Sequence, residues 1–248
     1  RVLLIGGSGL ISTPITRVLL ERSDDVVLYN RGQTPLRVEG AVQQIVGDRD
    51  DFPAFEAQIA ALGPFDCVID MVCFTPAQAE SAVRACAGRA TQFIFCSTVD
   101  VYSRPAPGYP YREDSPREAV SDYGRNKATC EDIFLAAHAR GDFAATIIRP
   151  AMTYGEGGPI VHTFGWSTTY LDRMRKGKPI VVPGDGTSLW TLTHARDFAV
   201  GLVGLLGHPG AIGHAFHITS DEAITWDQIH RALAGALGVT PKLVHVPS

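Results

Sequence analysis

The sequence predicts an α/β protein: a Rossmann-like doubly wound parallel sheet with a small C-terminal substrate-binding lobe. Three observations carry this expectation. Short apolar runs alternate with longer amphipathic stretches up to about residue 150, the pattern of a parallel sheet with helices on both faces. A glycine-rich turn follows the first apolar run at once. Near Arg149 the texture changes, and Gly and Pro begin to cluster.

Residues 2–5 form an apolar run ended by Gly6-Gly7, which reads as a strand. Residues 10–21 carry Ile11, Ile15, Val18 and Leu19 at helical spacing. Further strands are expected at 26–29, 42–46, 67–71, 93–96 and 144–148. Helices are expected at 52–62, at 76–87 with Pro76 in the first turn, and at 121–139. Right-handed crossovers make this alternation a doubly wound sheet, whose ligands sit at the carboxyl ends of the strands.

Beyond residue 150 the chain is broken at Gly155-Glu156-Gly157-Gly158-Pro159 and at Pro183-Gly184-Asp185-Gly186. Helical patterns follow at 168–176, 195–206 and 226–237, and a strand at 242–246. The expected division is a sheet domain at 1–150 and a smaller lobe at 151–248, partly interleaved with the sheet. The chain starts on a strand without Met and stops at Val246-Pro247-Ser248, so the lobe is expected to be incomplete at its C-terminal end.

Composition narrows the function classes. The 248 residues are 45% hydrophobic and 19% charged, ordinary for a globular protein with a sizeable core. Net charge is -4 and no dense Lys/Arg block occurs, so no nucleic-acid partner is expected. No apolar run approaches the roughly 20 residues of a membrane span, and the start lacks a signal-peptide pattern. The five cysteines include no C-x-x-C pair and read as reduced, buried thiols, which suits a cytoplasmic location. The eight histidines are scattered without metal-site spacing, so no metal is expected.

Gly6-Gly7-Ser8-Gly9-Leu10-Ile11-Ser12 joins the first strand to the first helix. Such a turn lets a pyrophosphate approach the backbone and meet the free N–H groups of a helix start. Gly6, Gly9, Leu10 and Ile11 are therefore candidate dinucleotide contacts, with the small Ser12 where a third glycine is usual. NAD-specific sites usually place an acid at the end of the second strand. Here stand Asn30 and Arg31. An arginine can grip a 2′-phosphate, so NADP is favoured over NAD.

Tyr123 and Lys127 fall four apart on the expected long helix and share one face. A free tyrosine has a pKa near 10 and is a poor base at neutral pH. A nearby ammonium and an oxidised nicotinamide favour its phenolate, which can take a proton from a substrate hydroxyl while hydride leaves the same carbon. The fifth strand ends in Cys96-Ser97-Thr98-Val99-Asp100. Thr98, with Ser97 second, can hydrogen-bond the same substrate oxygen.

Taken together, G-G-S-G-L-I-S at Gly6, G-D-R-D at Gly47, C-S-T-V-D-V-Y at Cys96, Y-G-R-N-K at Tyr123, R-P-A-M-T-Y-G at Arg149 and the long run from Pro183 resemble the extended short-chain dehydrogenases/reductases. The chain is similar over nearly its whole length to their NAD-dependent epimerase/dehydratase family. It is especially similar to the atypical branch near the chloroplast stem-loop-binding proteins, which share N-R-G after the second strand and the V-P-G-D-G run. The resemblance implies Thr98, Tyr123 and Lys127 as the catalytic set. It implies Asp48 and Arg49 near the adenine, Asp70, Met71 and Val72 beneath the cofactor, and Pro150 near the nicotinamide. Ser97, Asp100, Met152 and Trp190 are expected to border the substrate. Nucleotide-sugar members often carry Asn where Met152 stands and a diphosphate-binding Arg where Trp190 stands, so the substrate class stays open. The dehydratases carry two acids after the catalytic Thr, whereas here Val99 replaces the first. The resemblance also implies a homodimer through a four-helix interface.

Three readings follow: an epimerase of a sugar or nucleotide sugar, which is favoured; a net NADP-dependent oxidoreductase; and a non-catalytic RNA- or ligand-binding relative. The complete Thr98–Tyr123–Lys127 set and the acidic balance argue against the third.

Overall fold

Parallel strands carry the fold in a computed structural model that describes residues 1–106, 108–156 and 167–247. In chain order the first elements are β1 (Val2–Ile5), α1 (Ser12–Glu21), β2 (Val26–Asn30), β3 (Gln43–Val46), α2 (Phe52–Ala61), β4 (Phe65–Asp70) and α3 (Pro76–Cys86). Then come β5 (Ala90–Cys96), a 3-10 turn at Val99–Val101, α4 (Asp122–Arg140) and β6 (Ala144–Ile148). The remainder is β7 (Met152–Tyr154), α5 (Thr169–Arg175), β8 (Pro179–Pro183), β9 (Leu189–His194), α6 (Ala195–Gly204), β10 (Ala215–Phe216), β11 (Ala223–Thr225), α7 (Trp226–Ala236) and β12 (Lys242–Val246).

Among the described residues the main sheet has seven strands in the order β10-β6-β5-β4-β1-β2-β3. Every pairing in it is parallel. The chain runs outward from β1 to β3, then crosses back to β4 on the other side of β1. This reversal between β1 and β4 is the switch point at which such sheets bind ligands. The doubly wound sheet is the one the sequence predicts.

Strand alternation sends side chains to two cores. Leu3, Ile5, Val27, Tyr29, Val68, Phe93, Phe95 and Ile147 pack against α2, α3 and α4. Val2, Leu4, Val26, Leu28, Cys67, Ile69, Ile94 and Ile148 pack against α1 and α6. Phe93 stacks between Phe134 at 4.6 Å and Phe143 at 4.9 Å. Truncating such a residue to Ala typically costs about 3–5 kcal/mol. All five cysteines are buried and unbridged.

β5 begins three residues before the expected strand, because a polar residue is buried within it. Gln92 is 2% exposed. Its amide donates to Thr146 Oγ1 and the Leu205 carbonyl and accepts from Gly207 N–H. These partners come from distant segments, so the position looks like a loop in the sequence.

The described residues group into two compact units: Arg1–Ala151 with Ala195–Ile218, and Met152–His194 with Thr219–Ser248. The second unit holds a three-stranded sheet, β11-β9-β7, and a β12-β8 pair. Its core gathers Val182, Trp226 and Ile229. Thr225 and Gln228 form a capping box that starts α7. Residues 157–159 of the expected glycine cluster, and Ser248, lie outside the described residues.

Candidate active site

The turn between β1 and α1 is shaped by two close approaches. Gly6 has φ +89° and donates to the Tyr29 carbonyl at 2.8 Å. A Cβ there would lie 2.5 Å from Val72 Cγ1, and one on Gly7 would lie 2.7 Å from Leu28. Ser12 Oγ accepts from Gly9 N–H at 2.8 Å, so a serine pins the loop where a third glycine is usual. Ile11 caps α1 without a side-chain hydrogen bond, and no acid stands in the first turn. Such a helix start offers N–H donors and partial positive charge to an anion. Leu10 and Ile11 are half-buried beside it.

At the end of β2, Asn30 is 8% exposed. Its Oδ1 accepts from Gly32 N–H and Gln44 Nε2. Its Nδ2 is buried with no partner among the described residues. A buried donor left unmade costs about 1–3 kcal/mol, so this one calls for an acceptor. Arg31 beside it is exposed. The uncapped helix start and the orphaned amide fit a dinucleotide, the first for a diphosphate and the second for a ribose oxygen or its phosphate.

Three residues expected along the cofactor are engaged with the protein itself. Arg49 donates to both oxygens of Asp70 at 2.9 and 2.7 Å and to the Gln78 carbonyl. Both side chains are buried. Asp70 Oδ1 also accepts from Val72 N–H, which fixes the chain where Val72 meets Gly6. Their geometry braces the floor of the turn. Asp48 is exposed, Met71 is half-buried, and buried Pro150 accepts from Val99 N–H at 3.1 Å.

The start of α4 is clasped to the end of β5. Ser121 caps the helix by accepting from Gly124 N–H at 2.9 Å and donates to Asp100 Oδ2 at 2.9 Å. Asp100 Oδ1 accepts from Arg104. Asp100, expected beside the substrate, thus orients the first turn of α4. Thr98 Oγ1 accepts from Asp100 N–H. These contacts bring Thr98 to Tyr123.

Tyr123 is 44% exposed. Burial of the remainder pushes its pKa above the ordinary phenol value, with Cys96 and Asp100 adding to the rise and a hydrogen bond with the Thr98 hydroxyl opposing it. Lys127, one turn on, is 1% exposed. Its Nζ donates to the carbonyls of Cys73 and Cys96 and lies 4.3 Å from the Phe95 ring centroid. The ammonium therefore ties α4 to the ends of β4 and β5.

Ser97 is drawn away from the surface. It is 2% exposed and donates to Glu131 Oε1. Glu131 accepts a two-pronged contact from Arg149 at 2.9 and 2.7 Å and a third from Arg117. Arg149 continues to Tyr102 Oη at 2.7 Å, and Tyr102 meets His217 Nε2 at 2.6 Å. Glu131 and Arg149 were not among the expected site residues. The signal for Glu131 is the step from Tyr123 through Lys127 to Glu131, which puts all three on one face of α4; the pairing with Arg149, after β6, comes only from the tertiary structure.

Met152 and Trp190 belong to the second unit. Met152 opens β7, pairs with Leu192, and packs with Trp190 around Trp226. Trp190 Nε1 is buried without a partner among the described residues. Among the described residues no cluster of three or more His, Cys, Asp or Glu could hold a metal ion, and no helix is long and apolar enough to cross a membrane.

Several known proteins are similar to this chain. The 2′-dehydrokanamycin reductase of Streptomyces kanamyceticus is 31% identical over 100% of this chain and 70% of its own length. The chloroplast stem-loop binding protein of 41 kDa b from Arabidopsis thaliana is 27% identical over 99% of this chain and 65% of its own length. The chain thus spans about two thirds of these relatives' length. The UDP-glucose 4-epimerase of Thermus thermophilus, solved in complex with NAD, shares the fold with a TM-score of 0.79 at 21% identity, covering 100% of this chain and 86% of that one. A sequence model matches residues 2–219, and the chain belongs to the family it describes, the NAD dependent epimerase/dehydratase family.

Proposed function

We propose that the protein reduces a ketone on a sugar ring, using NADPH as the hydride source. The observation that carries this reading is geometric: the hydroxyl of half-exposed Tyr123 stands within hydrogen-bonding reach of Thr98, and burial of the remainder of the side chain favours the protonated phenol. A phenol held protonated at neutral pH is a proton donor, which reduction of a ketone needs.

A nicotinamide dinucleotide, when bound at the glycine turn, would supply the hydride. Leu10 and Ile11 at the start of α1 would offer the diphosphate backbone N–H groups, while Gly6 and Gly9, whose own N–H groups are engaged by Tyr29 and Ser12, would let it approach the turn closely. Asn30 Nδ2 and Arg31 would hold the ribose end, where the absence of an acid suits a 2′-phosphate. Tyr123 donates its proton to the oxygen of the ketone, and Thr98 hydrogen-bonds the same oxygen. Lys127 keeps α4 in register through Cys73 and Cys96. Asp100, through Ser121, sets the height of Tyr123. The reductase named above, similar over the full chain, supports the reading. Epimerisation, which the family resemblance favours, uses the same residues but keeps its cofactor between turnovers.

The test is protein purified without added cofactor, denatured, and searched for nucleotide by mass spectrometry. The expected result is no retained nucleotide, with NADPH binding on addition. Retained NAD or NADP would overturn net reduction in favour of epimerisation. Tyr123→Phe is expected to lower turnover by a factor of at least about 10²–10⁴ with NADPH binding intact. Wild-type turnover in that variant would remove Tyr123 from the chemistry.

A further inference from the structure

Phe74 has no part in the chemistry above, yet it stands beside it. It is 44% exposed, an unusual position for a phenylalanine next to a sheet core. Its ring centroid lies 6.5 Å from that of Tyr123, with the planes tilted by 40°. Lys127 Nζ lies over the same ring at 5.3 Å from the centroid.

The position is rigidly held. Phe74 N–H donates to Gln78 Oε1 at 2.6 Å. Thr75 and Gln78 close a capping box at the start of α3, and Pro76 occupies its first turn. The Cys73 carbonyl, one residue earlier, accepts from Lys127. The main chain is thus anchored on both sides of Phe74, and its exposed ring stands beside that of Tyr123.

We propose that Phe74 is the specificity-determining platform of this site, and that its substrate is a saturated six-membered ring lying with one C–H face on the phenyl ring. This rests on the reading of Tyr123 as the proton donor. The electron-rich face of an aromatic ring attracts partly positive C–H groups, most strongly those on carbons that bear oxygen. A pyranose or cyclitol presents such hydrogens together on one flat face and turns its hydroxyls sideways. One of those edge positions, oxidised to a ketone, then reaches Tyr123 while the ring body stays on Phe74. An open-chain ketone has no flat face to match.

Saturation-transfer NMR on the NADP-loaded protein tests this, with UDP-glucose and kanamycin as the probes. The wild type is expected to transfer saturation to the hexose or cyclitol ring C–H protons of at least one probe. Phe74→Ala should weaken that probe's binding about tenfold and erase the ring signal. Phe74→Leu, which keeps apolar bulk without an aromatic face, should behave likewise, and Phe74→Trp should restore the signal. NADPH binding, unchanged in all three variants, reports that the fold is kept. Ring signals that persist in both Phe74→Ala and Phe74→Leu would overturn the proposal. So would a wild type that saturates the ring protons of neither probe. Failure of the Tyr123 reading shows separately, as turnover that survives Tyr123→Phe.

Discussion

Gly124 of α4 stands so close to Asp100 that a Cβ on it would lie 2.2 Å from the Asp100 carbonyl oxygen. The obstacle is backbone, which cannot swing aside. Gly124 directly follows Tyr123, so this contact sets how near the helix start comes to the end of β5. Gly124→Ala is expected to lift the first turn of α4. Stability should fall by about 1–3 kcal/mol through overpacking, and turnover by more than about tenfold as Tyr123 leaves Thr98. Gly204→Ala, at a helical glycine with open space around its missing Cβ, is the control and should be neutral or mildly stabilising. Denaturant unfolding and steady-state kinetics on both variants check this.

Glu131 is the hub of a buried network. Glu131→Gln leaves Arg149, only 4% exposed, without its counter-charge. Removing one partner of a buried ion pair costs about 3–5 kcal/mol. For a chain of this size that corresponds to a fall in Tm on the order of 6–15 °C. Asp132→Asn, which removes an exposed partner of Arg117, should change stability by less than about 1 kcal/mol. Thermal melts of both variants distinguish a hub from a surface pair; equal shifts would show that the buried pair contributes nothing special.

The pH dependence of the reaction follows from Tyr123. Its pKa is raised, chiefly by burial. The phenol is therefore the form present at neutral pH, and the proposed reduction would consume that proton. Reduction should be insensitive to Tyr123 through neutral pH and fall only as pH rises past the ordinary phenol pKa near 10. The reverse oxidation needs the phenolate and should climb with pH over the same range. Rate profiles of kcat/KM in both directions check the sign. A reduction rate that rises with pH would assign Tyr123 the opposite role.

The proposed preference for NADP rests on Asn30 and Arg31 at the end of β2. Arg31→Ala should weaken NADP binding by roughly 10–100-fold, the scale of a charged hydrogen bond, and leave NAD binding within about twofold. Asn30→Asp places a carboxylate where NAD-specific sites carry one and should shift preference towards NAD. Fluorescence titration of both variants with NADH and NADPH reads the ratio. Equal losses for the two cofactors after Arg31→Ala would remove the 2′-phosphate contact.

Much of the fold is legible in the sequence because it is written locally. Short continuous apolar runs mark the parallel strands, helical spacing of apolar residues marks α1, and Gly6 marks the turn between β1 and α1. The placement of Tyr123 and Lys127 on one helical face needs only their spacing. The short strands β7, β8, β9 and β11 of the second unit escape this reading, because each is brief or irregular and acquires its pairing from elsewhere in the chain.

What a polar side chain does at the site is another matter. Ser97 looks like a second substrate hydroxyl until Glu131, 34 residues on, accepts its hydrogen bond. Arg49 looks like an adenine contact until Asp70, 21 residues away, closes on it. Asp100 looks like a substrate acid until Ser121 binds it across the same separation of 21 residues. The sequence by itself determined the sheet, the glycine turn and the Tyr123–Lys127 face, since periodicity and spacing are local properties. Only the tertiary structure decided which neighbouring polar groups face the site and which brace it. A buried hydrogen-bonding group takes whatever partner the strand order brings within about 3 Å, and that partner can come from any distance along the chain.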